Sequence, residues 1–149
     1  MPTNYNRMPL KFVSYMSSQS RIMSKKSIEE FLFQIREKNK HLTITGILLL
    51  IQGKFVQYIE GPAEEIDKVY ESISKDRRHT DMILLDSGDL EQRQFNDWSM
   101  AYKEVTDKQI REIIGDKDLD LEDIFLNGKD TNNHPVLTVL YEFVKTLST

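Results

Sequence analysis

The chain contains no cysteine in its 149 residues. This excludes disulfides, thiolate metal sites, thiol nucleophiles and photochemistry that forms an adduct with a cysteine. Long apolar runs are also missing, since none approaches the roughly 18–20 residues that a membrane-spanning helix needs. Residues 1–9 lack the basic region and apolar stretch of a signal peptide. We therefore expect a cytoplasmic protein that does not bind a membrane.

Basic residues are outnumbered by acidic ones. Lys and Arg total 20 against 24 Asp and Glu, which gives a net charge of −4 and a pI near 5.4. Because proteins bind nucleic acids largely by neutralising phosphates, this balance argues against a nucleic-acid partner. The length is that of one domain with a core of its own.

Hydrophobic periodicity predicts an α+β fold. Two segments carry apolar residues at i, i+3, i+4 and i+7, the stripe of an amphipathic helix. Five apolar or alternating segments predict strands: residues 10–16, 44–51, 53–61, 82–85 and a last strand that starts within 98–102. The order β-α-β-β-α-β-β is the ferredoxin-like plan with one added strand, which places both helices on one face of the sheet.

Local signals suggest where the two helices begin and end. Residues 27–30 have the sequence of a capping box, and Asn39 is a common helix terminator, so the first helix is expected between them. Pro62 opens the second helix, and the charged residues 76–79 close it.

The second face of the sheet needs a cover because the strands are apolar on both sides. Helices that start near Thr106 and at Pro135 supply it. We therefore expect an N-terminal tail (1–9), a sheet domain (10–105) and a C-terminal helical layer (106–149).

Gln57 is the most informative residue in the chain. Because side chains alternate along a strand, Gln57 shares a face with Phe55 and Ile59, while Val56 and Tyr58 point the other way. A buried carboxamide costs about 1–3 kcal/mol for each group left without a hydrogen bond. The pattern therefore predicts polar partners for Gln57 on this face, where Tyr15 and Asn39 should converge with it.

In its order of short motifs, the chain resembles the BLUF family, blue-light sensors that bind a flavin, usually FAD. The resemblance runs without gaps from about residue 10 to residue 102. The motifs that carry it are Tyr15-Met16-Ser17, Asn39 with Ile44-Thr45-Gly46, Phe55-Val56-Gln57, Glu60-Gly61, Asp76-Arg77-Arg78-His79 and Arg93-Gln94-Phe95-Asn96-Asp97-Trp98-Ser99-Met100.

This resemblance implies a photochemical role for four residues. Tyr15 corresponds to the electron and proton donor to the excited flavin, and Gln57 to the switch between the tyrosine hydroxyl and the flavin N5/O4 edge. Trp98 and Met100 correspond to the strand that reports the switched state.

It also implies a set of flavin contacts. Asn39 would bind the polar edge of the isoalloxazine ring; the other expected contacts are Phe31, Ile73, Asp76, Arg78 and His79. Phe31 replaces a branched aliphatic residue that is frequent in the family, and Ser72 stands where some members have an arginine.

The implied function is noncovalent FAD binding and light-driven signalling to a downstream protein or through a homo-oligomer, without enzymatic activity or a metal. A light-insensitive adaptor on the same fold is the alternative. Taken singly, Tyr15 is compatible with a core tyrosine and Asn39 with a helix cap. An acylphosphatase-like hydrolase would need a phosphate cradle after the first strand, and residues 17–21 contain no glycine.

Overall fold

The computed structural model describes residues 9–19, 23–75, 79–94, 100–115 and 135–147. The predicted element order is confirmed. Its elements are β1 (Leu10–Gln19), α1 (Lys25–Leu42), β2 (Thr45–Ile51), β3 (Lys54–Pro62), α2 (Ala63–Ser74), β4 (His79–Leu90), β5 (Ala101–Val105), α3 (Asp107–Ile114) and α4 (Pro135–Leu147). Nearly all of the predicted tail, and the stretch between α3 and α4, lie outside the described residues.

The five strands form one sheet in the order β4-β1-β3-β2-β5. Neighbouring strands are antiparallel except β2 and β5, which run parallel at one edge. The hairpin between β2 and β3 turns at Gln52 and Gly53, both with positive φ (50° and 78°), as in a type I′ turn. Gly46 allows β2 to approach β3, since a Cβ there would lie 2.2 Å from the carbonyl oxygen of Tyr58.

Each face of the sheet is buried under its own pair of helices. We call the face under α1 and α2 the front, where Tyr15, Leu48 and Phe55 pack against Phe31 and the other apolar residues of the two helices. On the back face, apolar residues of the sheet pack against α3 and α4. The buried residues of that back cluster include Ile47, Leu49, Val56, Leu85, Ile110, Val136, Val139 and Leu140. The α+β fold with a helical layer on each face is therefore confirmed.

Both predicted ends of α1 are wrong. The helix begins at Lys25, because the Ser24 hydroxyl caps it by accepting from the Ser27 backbone N–H at 3.1 Å. It continues past Asn39 to Leu42 and ends where Thr43 adopts the left-handed conformation. Asn39 is thus inside the last turn, and its side chain is buried instead of capping the helix.

The boundaries after α2 also differ from the prediction. The helix ends at Ser74, whose hydroxyl donates to the Glu71 carbonyl at 2.6 Å, and residues 76–79 therefore do not close it. His79 is instead the first residue of β4, which extends to Leu90 because its polar second half pairs with β1. The last strand begins at Ala101, inside the predicted range 98–102, and Trp98 lies outside the described residues.

A change of register separates β1 from β4 next to Tyr15. Ser14 lies opposite Asp86, but Tyr15 lies opposite Leu84, so β4 carries one extra residue, Leu85. Irregularities of this kind re-aim side chains and are frequent near functional sites. Leu85 turns into the back core, while Tyr15 stays on the front face.

Glu60 is a charged residue with no exposed surface. Its carboxylate accepts hydrogen bonds from the Thr45 hydroxyl (3.1 Å), the Tyr58 hydroxyl (2.9 Å) and the Gln94 backbone N–H (2.9 Å). Burial and the neighbouring Glu60 charge raise the pKa of Tyr58 far above its ordinary value, so Tyr58 remains a donor. Arg93 donates to the same Thr45 hydroxyl at 3.1 Å. Glu60 thereby fixes the chain that leaves β4.

We expect Glu60→Gln to reduce the free energy of unfolding by about 1–3 kcal/mol, because an amide has one acceptor oxygen where the carboxylate has two. Urea denaturation measures the loss. Glu71→Gln is the matched control, since the Glu71 side chain is 68% exposed. If both variants unfold at the wild-type urea concentration, the buried carboxylate does not stabilise the fold.

Leu140→Ala tests the packing of α4 on the back of the sheet. Leu140 is fully buried, and truncating a buried leucine costs about 2–5 kcal/mol. Thr138→Ala on the exposed side of the same helix is expected to change stability by less than about 0.5 kcal/mol. Equal urea midpoints for the two variants would show that α4 does not pack on the sheet in solution.

Candidate functional site

Tyr15 and Gln57 are direct partners across the β1–β3 pair. Both side chains are buried on the front face, with 0% and 1% of their surface exposed. The Tyr15 hydroxyl donates a hydrogen bond to Oε1 of Gln57. The predicted convergence of these two residues is therefore present in the structure.

Met100 binds the other end of the same carboxamide. Nε2 of Gln57 donates to the Met100 sulfur at 3.7 Å, and Met100 is 2% exposed. A thioether sulfur accepts hydrogen bonds weakly and cannot donate them, whereas a phenol can do both. In this arrangement Met100 favours the amide orientation in which the oxygen faces Tyr15.

A cavity of about 240 Å³ opens above Gln57, between α1, α2 and the front of the sheet. We call this cavity the slot. Its walls are mainly apolar, from Phe31, Ile35, Ile59, Val69 and Ile73. The Phe31 ring is packed against Phe55, with 5.7 Å between ring centroids. The predicted ring contacts Phe31 and Ile73 therefore line the same cavity, one from each helix.

The polar groups of the slot lie at its floor and along its rim. Gln57 is at the floor, and Asn39, which is 2% exposed, borders the same cavity from α1. At the rim, Nζ of Lys38 donates to the Ser72 hydroxyl at 3.2 Å and joins α1 to α2. The sequence carried no local signal for this contact between the two helices.

Tyr70 of α2 is a second aromatic neighbour of Tyr15. The two rings meet edge to face, with centroids 5.6 Å apart and planes at 76°. Burial raises the pKa of Tyr70, so its phenol stays protonated beside the Tyr15 ring. This contact orients Tyr15 from the side away from the sheet, and the sequence pattern did not indicate it.

The remaining predicted site residues are only partly described. Asp76, Arg78 and Trp98 lie outside the described residues, and His79 is placed as the first backbone position of β4. Within the described ranges, no three His, Asp or Glu side chains are grouped to hold a metal ion. None of the helices in those ranges is both long and apolar enough to span a membrane.

The slot fits the ring system of a flavin. A planar heteroaromatic ring needs two apolar walls and hydrogen-bonding groups at its polar edge. The walls of α1 and α2 supply the first requirement, and the carboxamides of Gln57 and Asn39 supply the second. The cation of Lys38 at the rim suits the phosphates of a dinucleotide that extends out of the slot.

Sequence comparison gives one family match and several similar proteins. The profile of the BLUF family, described as sensors of blue-light using FAD, matches residues 10–101. The chain is 32% identical over 93 residues to the photoactivated adenylate cyclase subunit beta of Euglena longa, covering 62% of this chain and 11% of that protein. It is 37% identical over 60 residues to the blue light- and temperature-regulated antirepressor BluF of Escherichia coli K12, covering 40% of this chain and 15% of that protein.

Solved structures show the same fold. The dark-state structure of the BLUF protein BlrB matches with a TM-score of 0.68 at 30% identity, covering 91% of this chain and 98% of that chain. A bacterial light-regulated adenylyl cyclase matches with a TM-score of 0.61 at 26% identity, covering 93% of this chain and 34% of that chain. With a family match over more than half of its length and a slot that fits a flavin ring, the chain belongs to the BLUF family of blue-light sensors that use FAD.

Proposed function

We propose that this chain is a photoreceptor in which Tyr15 and Gln57 convert blue-light absorption by noncovalently bound FAD into a new hydrogen-bond pattern. The observation that carries this proposal is the buried chain of hydrogen bonds from Tyr15 through Gln57 to Met100 at the floor of the slot. Asn39 would bind the polar edge of the ring, with Phe31 and Ile73 on its two faces.

Tyr15 is suited to donate an electron and a proton together. Bound FAD would supply the absorption of blue light and an acceptor for one electron. Loss of an electron makes a phenol strongly acidic, so its proton needs an acceptor already in place. Oε1 of Gln57 is that acceptor, since the Tyr15 hydroxyl already donates to it.

Gln57 is suited to hold one of two discrete arrangements. The two ends of a carboxamide are nearly equal in shape but opposite in hydrogen bonding. Rotation or tautomerisation therefore exchanges the donor and acceptor positions without moving β3. Because Gln57 is 1% exposed, water does not offer it a range of intermediate partners.

The rearrangement would leave the site through Met100, which immediately precedes β5. Loss of the Gln57–Met100 bond changes the start of a strand whose far end leads into α3. We infer that residues 106–149 pass this change to a downstream protein or to a second copy of the chain. On this proposal the chain senses light and does not itself catalyse a reaction.

FAD binding separates the photoreceptor from a light-insensitive adaptor on the same fold. Purified protein mixed with FAD is expected to stay yellow after gel filtration. Ile73→Trp fills the slot and is expected to weaken FAD affinity by about tenfold or more, a loss of at least about 1.4 kcal/mol. Lys68→Trp on the same helix, at a side chain that is 72% exposed, is the control. If the wild-type protein is colourless after gel filtration from excess FAD, the result would favour the adaptor.

Tyr15→Phe tests the photochemical role of the phenol. The variant keeps an apolar ring in the core, so it is expected to bind FAD and stay yellow. It loses the donor to Gln57, and its absorption spectrum is expected to show no reversible red shift under blue light. Tyr141→Phe is the matched control, because Tyr141 donates its hydroxyl to Asp86 on the back of the sheet. A normal red shift in Tyr15→Phe would exclude Tyr15 as the donor.

A further inference from the structure

Arg36 connects α1 to Met100, the hydrogen-bond partner of Gln57. Its Nε donates to the main-chain carbonyl of Met100 at 2.9 Å, across 64 positions of sequence. The guanidinium is partly buried, and its helix neighbours Ile35 and Asn39 line the slot. The same turn of α1 thus contacts both the slot and the start of β5.

Met100 is consequently held at two points by different elements. Gln57 of β3 donates to its sulfur, and Arg36 of α1 donates to its carbonyl. The first bond is weak, because thioether sulfur is a poor acceptor. The second is assisted by the charge of the guanidinium and is therefore stronger.

The weaker bond depends on the stronger one. Methionine is unbranched and has three rotatable side-chain bonds, so its sulfur can occupy many positions around a given Cα. Only some of these positions lie within reach of Nε2 of Gln57. Fixing the carbonyl of Met100 restricts its backbone and, with it, the positions available to the sulfur.

We propose that Arg36 is a positioning residue that holds the main chain of Met100, so that the sulfur remains the partner of the Gln57 amide. This inference rests on the proposed function, because it requires Gln57 to be the switch. Arg36 also makes α1 a second connection between the slot and β5, in parallel with the direct contact through Gln57.

The Arg36–Met100 hydrogen bond predicts a specific change in the lifetime of the light state. Without Arg36, the dark arrangement in which Met100 accepts from Gln57 is less stable. The transition state for the return from the light state to this arrangement is also less stable. Thermal return in the dark is therefore expected to be slower in Arg36→Gln, by about three- to tenfold. The red shift itself is expected to form, since Tyr15 and Gln57 are unchanged.

The first experiment measures this return by absorption spectroscopy on FAD-loaded wild type, Arg36→Gln, Arg36→Lys and Lys40→Gln. Lys40→Gln removes the same charge from the same helix, but at a side chain that is 66% exposed, and is expected to match wild type. Arg36→Lys keeps the charge and an N–H donor group but loses the planar fork of the guanidinium, so its rate is expected between those of wild type and Arg36→Gln. An Arg36→Gln rate within about twofold of wild type, or a faster one, overturns the proposal.

The two proposals fail in different ways. If wild-type protein shows no light-induced shift, the proposed photoreceptor function is wrong. If wild type responds and Arg36→Gln recovers at the same rate, only the role of Arg36 is wrong. Equal slowing in Lys40→Gln would also overturn it, since the charge of the helix and not the bond would then be responsible.

A second measurement needs no light response. Protein labelled with ¹³C in its methionine methyl groups, prepared without flavin, gives a Met100 signal that is assigned by its loss in Met100→Leu. The signal is expected to shift or broaden in Arg36→Gln and to stay in place in Lys40→Gln. An unchanged Met100 signal in Arg36→Gln would show that Nε does not position this residue.

Discussion

The hydrogen bond from Tyr15 to Gln57 is the interaction on which the site depends, and it exists because two strands are paired in one register. A slip of one residue would turn either side chain to the opposite face. The uninterrupted pairing from Leu10 opposite Pro62 to Ser18 opposite Lys54 defines that register. The site is therefore built from the backbone of the sheet, and α1 and α2 close over it.

The front face of the sheet holds the slot and the back face packs against α3 and α4, but both faces are formed by the same strands. Gln57 points into the front, whereas its neighbour Tyr58 points into the back and donates to Glu60. Glu60 in turn holds the backbone of Gln94, and Arg36 holds the backbone of Met100. The backbones of Gln94 and Met100 are thus each held by a charged side chain from another element. On the proposed mechanism, a change of the Gln57 amide acts on Met100, a residue that Arg36 already holds.

The pairing of Tyr15 with Gln57 could be predicted from the sequence, whereas the long-range contacts that hold the neighbouring residues in place could not. Strand alternation placed Tyr15 and Gln57 on one face, and the amphipathic stripes placed Phe31 and Ile73 above them. Asn39 was expected to end α1 because asparagine commonly does so, but Thr43 takes the left-handed position and Asn39 is buried near the slot. Long-range partners leave no local pattern, as in the Arg36–Met100 bond across 64 positions. The polar half of β4 was missed because an edge strand is ordered by pairing and not by burial.

The central claim is that Gln57 exchanges hydrogen-bond partners when the bound flavin absorbs light. The most direct measurement is NMR of FAD-loaded protein labelled with ¹⁵N in its glutamine side chains, recorded in the dark and under blue light, with Gln57 assigned by its loss in Gln57→Leu. We predict that the Gln57 amide signals move under illumination and return in the dark, while those of Gln52 in the β2–β3 turn stay in place. A red shift of the flavin with stationary Gln57 signals would contradict the account.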